Sequence, residues 1–215
     1  MKVIAINGSP RKKWNTDTLL LEAMEGAKSV GAESEMIHLY DLTYKGCTSC
    51  FACKRKDSKF IGTTCAMKDE LTGVLERIAA CDVLILGSPI YMGNITGEMH
   101  SFLERLIYPI ISYNKGQGSQ FKGKIATAFI YTMNGPKAYM KLKNYKAVFH
   151  CNRNYLKKLN GKSEILLALD TYQFSDYSKY EVSKFNEKNK LKVKNKQFPI
   201  DCRKAFDLGR RLAKN

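Results

Sequence analysis

Short apolar runs alternate along the chain with stretches in which apolar residues recur every three or four positions. The runs predict five β-strands, at Lys2–Ile6, Glu35–Leu39, Val83–Leu86, Ile125–Tyr131 and Ile165–Leu169. The intervening periodicity predicts helices whose apolar faces contain Leu19, Leu20, Ala23, Met24 and Ala27, then Leu71, Val74, Leu75 and Ile78, then Met99, Phe102, Leu103, Leu106 and Ile107. A final helix has Ala205, Phe206, Leu212 and Ala213 on its apolar face. Strands that alternate with helices predict a parallel sheet.

Five buried strands with helices between them indicate an α/β fold built on a doubly wound parallel sheet, with strand order 2-1-3-4-5. The chain is predicted to be a single domain over residues 1–215. Two segments depart from the alternation: a cysteine loop at 43–68 and a Lys-rich excursion at 176–198. Thr96 is expected to cap the third helix, and Pro199 to open the last one.

Length and composition are those of a globular protein with one core. The chain has 215 residues, 44% of them hydrophobic. The apolar run before Asn7 is too short for a signal peptide or a membrane span, so we expect a cytoplasmic protein without membrane association. Seven cysteines, four of them in one loop, are more typical of metal or redox chemistry in the cytosol than of a secreted disulfide framework.

The loop after the first strand is rich in hydroxyl and amide side chains and leads into a helix. The amino end of a helix favours anions, because its free N–H groups and its dipole both point there. We therefore expect a phosphate site that uses Ser9, Arg11, Asn15, Thr16 and Thr18. Simple capping by Asn15 or Thr16 is the alternative for those two residues. The loop matches neither a dinucleotide-binding G-x-G-x-x-G pattern nor a P-loop.

Four cysteines in the loop at 43–68 suggest a bound metal centre. Cys47, Cys50 and Cys53 have C-x2-C-x2-C spacing, which suits one face of an iron–sulfur cluster, and Cys65 is the candidate fourth ligand. Eleven residues separate Cys53 from Cys65. A [4Fe-4S] cluster, free or disulfide-forming thiols, and a zinc site therefore stay open as alternatives.

Positive charge is concentrated in the second half of the chain. Residues 1–110 carry 13 basic and 13 acidic side chains, whereas residues 111–215 carry 23 basic and 7 acidic ones, which accounts for the whole net charge of +16. Such asymmetry suggests an anionic partner. One hypothesis is a non-enzymatic module that binds nucleic acid or another polyanion through the excursion, with stacking by Tyr177, Tyr180, Phe185 and Phe198. No nucleic-acid-binding motif accompanies the charge, which makes nucleic acid the weaker hypothesis.

Several motifs together resemble one enzyme family. They are Gly8-Ser9-Pro10-Arg11, Asn15-Thr16, the cysteine loop, Asp69-Glu70, Gly87-Ser88-Pro89-Ile90-Tyr91, Thr96-Gly97 and Phe102-Leu103-Glu104-Arg105. These look like the NADPH-dependent FMN reductase family, and in particular its iron–sulfur flavoprotein branch. The resemblance implies a flavodoxin-like fold, bound FMN, and a homodimer or homotetramer. In that branch the fourth cysteine follows the third by only a few residues, so the longer gap here is a departure.

The resemblance also assigns roles to residues. Ser9, Arg11, Asn15, Thr16 and Thr18 would hold the FMN phosphate and ribityl end. Pro89, Ile90, Tyr91, Met92, Gly93 and Asn94 would border the isoalloxazine ring, and Thr132, Asn134 and Gly135 would form a third wall. No catalytic side chain is expected, since the flavin itself accepts the hydride. The implied activity is a flavin oxidoreductase that takes electrons from NAD(P)H or a reduced ferredoxin and passes them to another acceptor.

Overall fold

The computed structural model of the protein describes residues 1–214. Its five strands are β1 (Lys2–Asn7), β2 (Glu33–His38), β3 (Val83–Pro89), β4 (Ile125–Met133) and β5 (Asn160–Leu169). Its seven α-helices are α1 (Asn15–Lys28), α2 (Leu71–Ala79), α3 (Gly97–Ile107), α4 (Lys137–Leu142), α5 (Lys146–Leu156), α6 (Glu187–Lys192) and α7 (Phe198–Leu212).

The five strands form one parallel sheet of order β2-β1-β3-β4-β5, as the sequence predicts. At the centre, Val3 of β1 is in register with Val83 of β3, which in turn is in register with Ala126 of β4. Because all strands run the same way, the loops that follow them lie along one edge of the sheet. The doubly wound fold is therefore confirmed, and the predicted phosphate loop begins at this edge.

Alternate residues of each central strand pack into two separate cores. Val3 and Ala5 belong to a core formed with α1 and α7, whereas Ile4 and Ile6 belong to a core formed with α2, α3 and α5. Helices thus cover both faces of the sheet, which explains why the strands are apolar throughout. Helices α1 and α7 approach closely at Gly209, where an added Cβ would lie 1.8 Å from a backbone oxygen of α1.

Helices α4 and α5 and the first half of β5 carry no clear periodic signal in the sequence and were not predicted individually. Strand β5 begins at Asn160, five residues before the predicted run. The excursion at 176–198 contains α6 and a π-helical turn, Val193–Gln197, which leads directly into α7. Pro199 lies in the first turn of α7, as predicted, but that helix continues an earlier one. A wide turn just before a proline suits a residue that has no N–H to donate.

Across residues 1–214, no helix is both long enough and apolar enough to cross a membrane.

Candidate functional site

The loop after β1 is organised by Asp17, a buried carboxylate in the first turn of α1. Its Oδ1 accepts a hydrogen bond from Asn7 Nδ2 at 2.7 Å, and its Oδ2 accepts one from the backbone N of Lys13 at 2.8 Å. The backbone N of Gly8 donates to the carbonyl oxygen of Gly87 at 2.8 Å, which joins this loop to the end of β3. Asp17 was not predicted as a site residue, although an acidic residue in the first turn of a helix is a recognised sequence signal.

Helix α1 begins without a side-chain cap. Trp14 occupies the N-cap position and, among the described residues, no side chain accepts from the first-turn N–H groups in that role. Capping by Asn15 or Thr16, the alternative drawn from the sequence, is therefore wrong. Uncapped first-turn N–H groups retain their capacity to bind an anion, and the helix dipole adds to it.

Two predicted phosphate ligands in this loop are already held in place. Ser9 is buried, and its Oγ accepts a hydrogen bond from the backbone N of Arg11 at 3.2 Å. The Arg11 guanidinium lies 3.9 Å from the centre of the Trp14 ring, and its Nη1 donates to the carbonyl oxygen of Gln173 at 2.7 Å. Stacking and this bond hold a cation beside the amino end of α1.

Asn15 also reaches the segment that follows β5. Its Nδ2 donates to the carbonyl oxygen of Tyr172 at 2.8 Å. Together with the Arg11 bond to Gln173, this contact makes the segment between β5 and the excursion a wall of the candidate site. That wall could not be predicted from local sequence patterns, because the contacting residues are more than 150 positions apart in the chain.

The predicted residues Thr16 and Thr132 meet at the floor of the site. Both are buried, and their Oγ1 atoms are 2.8 Å apart. This hydroxyl pair ties the first turn of α1 to the end of β4. Thr18 lies one turn after Trp14, and its Oγ1 donates to the carbonyl oxygen of Trp14 at 3.0 Å. In the described structure, therefore, the Thr18 hydroxyl proton is used within the helix.

The loop after β3 forms a tight hairpin. Tyr91 and Asn94 exchange two backbone hydrogen bonds, of 2.8 and 3.0 Å, around Met92 and Gly93. These two central residues have φ values of 51° and 87°, the left-handed pair that a type I′ turn requires. The Met92 side chain is fully exposed at the tip, and Tyr91 is also exposed. The predicted ring-bordering segment, residues 89–94, thus projects from the sheet edge.

Thr96 locks this loop to the loop after β1. Its Oγ1 donates to the carbonyl oxygen of Gly8 at 2.7 Å and accepts from the backbone N of Met99 at 3.4 Å, which confirms it as the cap of α3. Its own backbone N donates to Ser88 Oγ at 3.1 Å. One buried hydroxyl therefore fixes the relative position of two loops that the sequence assigned to the same site.

The loop after β4 is fastened by a lysine from the excursion. Lys190 is only 4% exposed, and its ammonium group contacts both the carbonyl oxygen of Asn134 and the carboxylate of Asp170. The backbone N of Asp170 donates to the carbonyl oxygen of Gly135 at 3.0 Å, and that of Ile90 donates to the carbonyl oxygen of Thr132 at 2.9 Å. The predicted third wall therefore lies beside the other loops.

Several aromatic and basic residues of the excursion pack within the protein and are not available to an external partner. Tyr177 is buried, and Phe198 packs against the core formed with α1 and α7. The Lys194 ammonium lies 4.6 Å from the centre of the Tyr172 ring. Since Lys190 is buried as well, the lysines at every second position from Lys188 to Lys196 do not form one continuous exposed surface for a polyanion.

The four loop cysteines line one pocket. All four are free thiols, with Cys53 and Cys65 buried and Cys50 exposed. Burial raises the pKa of the Cys53 thiol, and the nearby Lys54 ammonium opposes that effect. Within residues 1–214, no three Cys, His, Asp or Glu side chains are drawn together closely enough to form a ready-made metal-binding group. The pocket thus brings the predicted ligands to one place without a finished ligand set.

Arg105 lines this pocket together with Glu104, whose carboxylate accepts a hydrogen bond from the backbone N of Cys47 at 2.9 Å, and Lys54 lies close to Cys53. Lys54 Nζ donates to the carbonyl oxygens of Tyr108 and Ile111, at 2.6 and 2.5 Å, so it is not free to bind an acidic partner. Arg105 is fully buried and forms an ion pair with Asp69 at 2.7 Å. Its Nε has no hydrogen-bond partner among the described residues. Four thiols beside two cations and an unused donor suit a group that is anionic when thiolate-bound, such as an iron–sulfur cluster.

Comparison with known proteins gives a consistent result. The sequence model of the NADPH-dependent FMN reductase family matches residues 1–151. An iron–sulfur flavoprotein of Archaeoglobus fulgidus is 41% identical over 105 residues, which are 49% of this chain and 48% of that protein. The iron–sulfur flavoprotein MJ1083 of Methanocaldococcus jannaschii is 34% identical over 105 residues, 49% of this chain and 51% of that protein. The chain thus spans about half the length of the curated relatives it matches.

Solved structures agree on the fold. The NAD(P)H:quinone oxidoreductase from Methanothermobacter marburgensis superposes with a TM-score of 0.69, covering 99% of this chain and 98% of that one, at 15% sequence identity. At that identity the likeness shows the flavodoxin-like fold alone.

Proposed function

The chain belongs to the NADPH-dependent FMN reductase family, and on that premise we propose that it is an FMN-binding oxidoreductase that passes electrons from NAD(P)H to another acceptor. The observation that carries this proposal is the hydrogen-bonded convergence of the loops after β1, β3, β4 and β5 beside the uncapped amino end of α1. In a doubly wound sheet, ligands bind at this edge.

Each loop has a distinct proposed role in holding FMN. The first turn of α1 and the side chains of the loop after β1 bind the phosphate and ribityl end; they are Ser9, Arg11, Asn15, Thr16 and Thr18. Backbone N–H groups of the segment 89–94 border the isoalloxazine ring, and Thr132, Asn134 and Gly135 form the opposite wall. The flavin, when bound, supplies the hydride-accepting chemistry. The protein binds and orients it, and the Thr16–Thr132 and Thr96–Gly8 bonds keep the loops rigid.

We propose that Cys47, Cys50, Cys53 and Cys65 hold a [4Fe-4S] cluster. Such a cluster takes electrons one at a time, which would let a two-electron flavin serve a one-electron partner. Free thiols and a zinc site are the competing outcomes, and they are separated by the iron, sulfide and zinc content of anaerobically purified protein. About four iron and four sulfide per chain support the cluster. Stoichiometric zinc, or neither metal, would refute it.

The donor is tested by anaerobic reduction of the flavin-loaded protein. NADH, NADPH and a reduced ferredoxin are each added, and loss of the oxidised flavin absorption is followed with time. Rapid loss with a nicotinamide supports the NAD(P)H-dependent activity, whereas loss with ferredoxin alone moves the donor role to that protein. If none of the three bleaches the flavin, the proposed activity is wrong.

A matched pair of variants tests the phosphate site. Arg11→Gln removes a guanidinium that is held at the amino end of α1, and Lys12→Gln removes the neighbouring charge, which pairs with Asp41 at 2.6 Å on the surface. A hydrogen bond to a charged group contributes about 1.5–3 kcal/mol, so R11Q should weaken FMN binding roughly 10- to 150-fold. K12Q should leave it nearly unchanged. Equal effects of the two variants would show that only the net charge matters.

We further propose that the protein is a homodimer or homotetramer in a reducing, cytoplasmic environment. Exposed apolar side chains surround the site, among them Tyr91, Met92, Tyr139 and Leu142, the last 79% exposed. Contact between subunits would remove this surface from water. Free thiols at all seven cysteines suit a reducing compartment. Light scattering of the purified protein tests the assembly, and a monomer at every concentration would refute it.

A further inference from the structure

Arg105 contacts both ends of the cysteine loop from its position on α3. Its Nη1 donates to the carbonyl oxygen of Lys45 at 2.9 Å, just before Cys47, and its Nη2 donates to that of Met67 at 3.4 Å, just after Cys65. The same two nitrogens hold the Asp69 carboxylate at 2.7 and 3.2 Å. Because the side chain is 0% exposed, these bonds are shielded from water. Arg105 therefore closes the loop at its base.

The remaining donor of Arg105 is unused. Its Nε is buried, and in residues 1–214 nothing accepts its hydrogen, although buried polar groups are nearly always paired. Arg105 and Cys65 both line the cysteine pocket. An arginine guanidinium stays protonated in proteins, and Asp69 pairs with this one at 2.7 Å. The guanidinium thus stays charged beside the cysteine furthest from the other three in sequence.

We infer that Arg105 is a positioning residue for the cysteine pocket, which holds Cys65 in place as the fourth ligand and offers its Nε–H to a ligand sulfur. This inference rests on the proposed cluster, and it answers the question raised by the eleven residues between Cys53 and Cys65. Closing a longer flexible loop costs more entropy. Because a buried side chain already binds both ends of this loop, the loop is closed before any cluster binds. The charge of Arg105 also favours the electron-rich, reduced form of the bound group.

The reduction potential of the reconstituted cluster separates this role from a merely structural one. Arg105→Gln removes the cation, so the midpoint potential should fall below that of the unmodified protein. Asp69→Asn removes the anion that neutralises the cation, so the potential should rise. Arg105→Lys keeps the positive charge but lacks the two-pronged guanidinium group. Its midpoint potential should lie between those of R105Q and the unmodified protein. Shifts of the same sign in R105Q and D69N, or no shift in either, would overturn the electrostatic part of the inference.

Thiol reactivity in the metal-free, reduced protein tests the positioning part without requiring a cluster. Cys65 is 9% exposed, and Cys81, two residues before β3 and outside the cysteine pocket, is 6% exposed. The alkylation rate of each is followed by mass spectrometry. In R105Q, Cys65 should react at least tenfold faster than in the unmodified protein, with Cys81 unchanged. An unchanged Cys65 would overturn the positioning role.

Folding defects and failure of the proposed function give different results. If R105Q raises the alkylation rates of Cys65 and Cys81 equally, the variant loosens the whole core. The alkylation rates in R105K then test the positioning role. A selective increase at Cys65 in R105K supports the inference, and protection equal to the unmodified protein refutes it. If no cluster can be reconstituted in the unmodified protein, the proposed cluster fails, while the alkylation rates still report whether Arg105 holds Cys65.

Discussion

Replacing Thr96 by valine should destabilise the protein and weaken its flavin site at once. Thr96 is 1% exposed, and its hydroxyl joins the loop after β1 to the first turn of α3. Valine has nearly the same shape, so the change removes two hydrogen bonds and creates no large cavity. Thr96→Ser is the matched control, because it keeps the hydroxyl and loses only a methyl group.

The size of the effect follows from the two groups that lose their partner. Loss of a helix cap costs about 1 kcal/mol, and a buried carbonyl left without its donor, here that of Gly8, costs about 1–3 kcal/mol. Some of these costs overlap, so we expect the free energy of unfolding to fall by about 2–3 kcal/mol. In a chain of this size that corresponds to a decrease in Tm of about 4–12 °C.

Urea unfolding of the flavin-free protein measures the stability term, and quenching of FMN fluorescence measures binding. T96V should lower the urea midpoint and weaken FMN binding at least tenfold, since the two loops are no longer joined. T96S should stay within about 1 kcal/mol of the unmodified protein. If T96V and T96S have the same urea midpoint and the same affinity for FMN, the hydrogen bond to Gly8 does not hold the site together.

Three further predictions test the packing and the charges. Gly209→Ala should lower the free energy of unfolding in urea by about 3 kcal/mol or more, because its Cβ would lie 1.8 Å from a backbone oxygen. Gly97→Ala is the control, since the space around it is open, and it should be neutral or slightly stabilising. Equal effects of the two variants would contradict the α1–α7 contact. Asp69 has a pKa lowered by the Arg105 guanidinium against the opposing effect of burial, so the stability it confers is present above about pH 4 and declines as the pH falls below that value. The stability difference between the unmodified protein and D69N should accordingly shrink in acid, and a constant difference down to pH 2 would count against it. Lys190→Met should lower Tm and weaken FMN binding, because it releases the loop after β4 and leaves Asp170 unpaired. An unchanged affinity for FMN would show that the excursion does not support the flavin site.

Patterns local in sequence were sufficient to predict the sheet and its order. Strands β1, β3 and β4 are apolar on both faces, and Thr96 caps α3 where the residue type predicts it. Helices α4 and α5 were not predicted because residues 137–156 are rich in lysine and polar side chains, and few of them reach the core. Helix propensity without a clear apolar stripe is a weak signal.

Parts of the site that depend on distant contacts could not be predicted. Lys190 belongs to a run with lysine at every second position, and the sequence alone predicts that each of these side chains is exposed to solvent. The fold nevertheless buries Lys190 against the loop after β4. Tyr172 and Gln173 enter the site through backbone carbonyls, which carry no residue-type signature. Arg105 has the spacing of an amphipathic helix residue, and only the tertiary structure shows that it closes the cysteine loop.

Calorimetric titration of the flavin-free protein with FMN and with riboflavin measures directly whether the site at the amino end of α1 binds the FMN phosphate. The two ligands share the isoalloxazine ring and differ in the phosphate, so their affinity ratio reports the site at the amino end of α1. We expect one FMN to bind per chain and riboflavin to bind at least about a hundredfold more weakly, a difference of about 2.7 kcal/mol. Equal affinities for the two flavins, or no FMN binding, would contradict it.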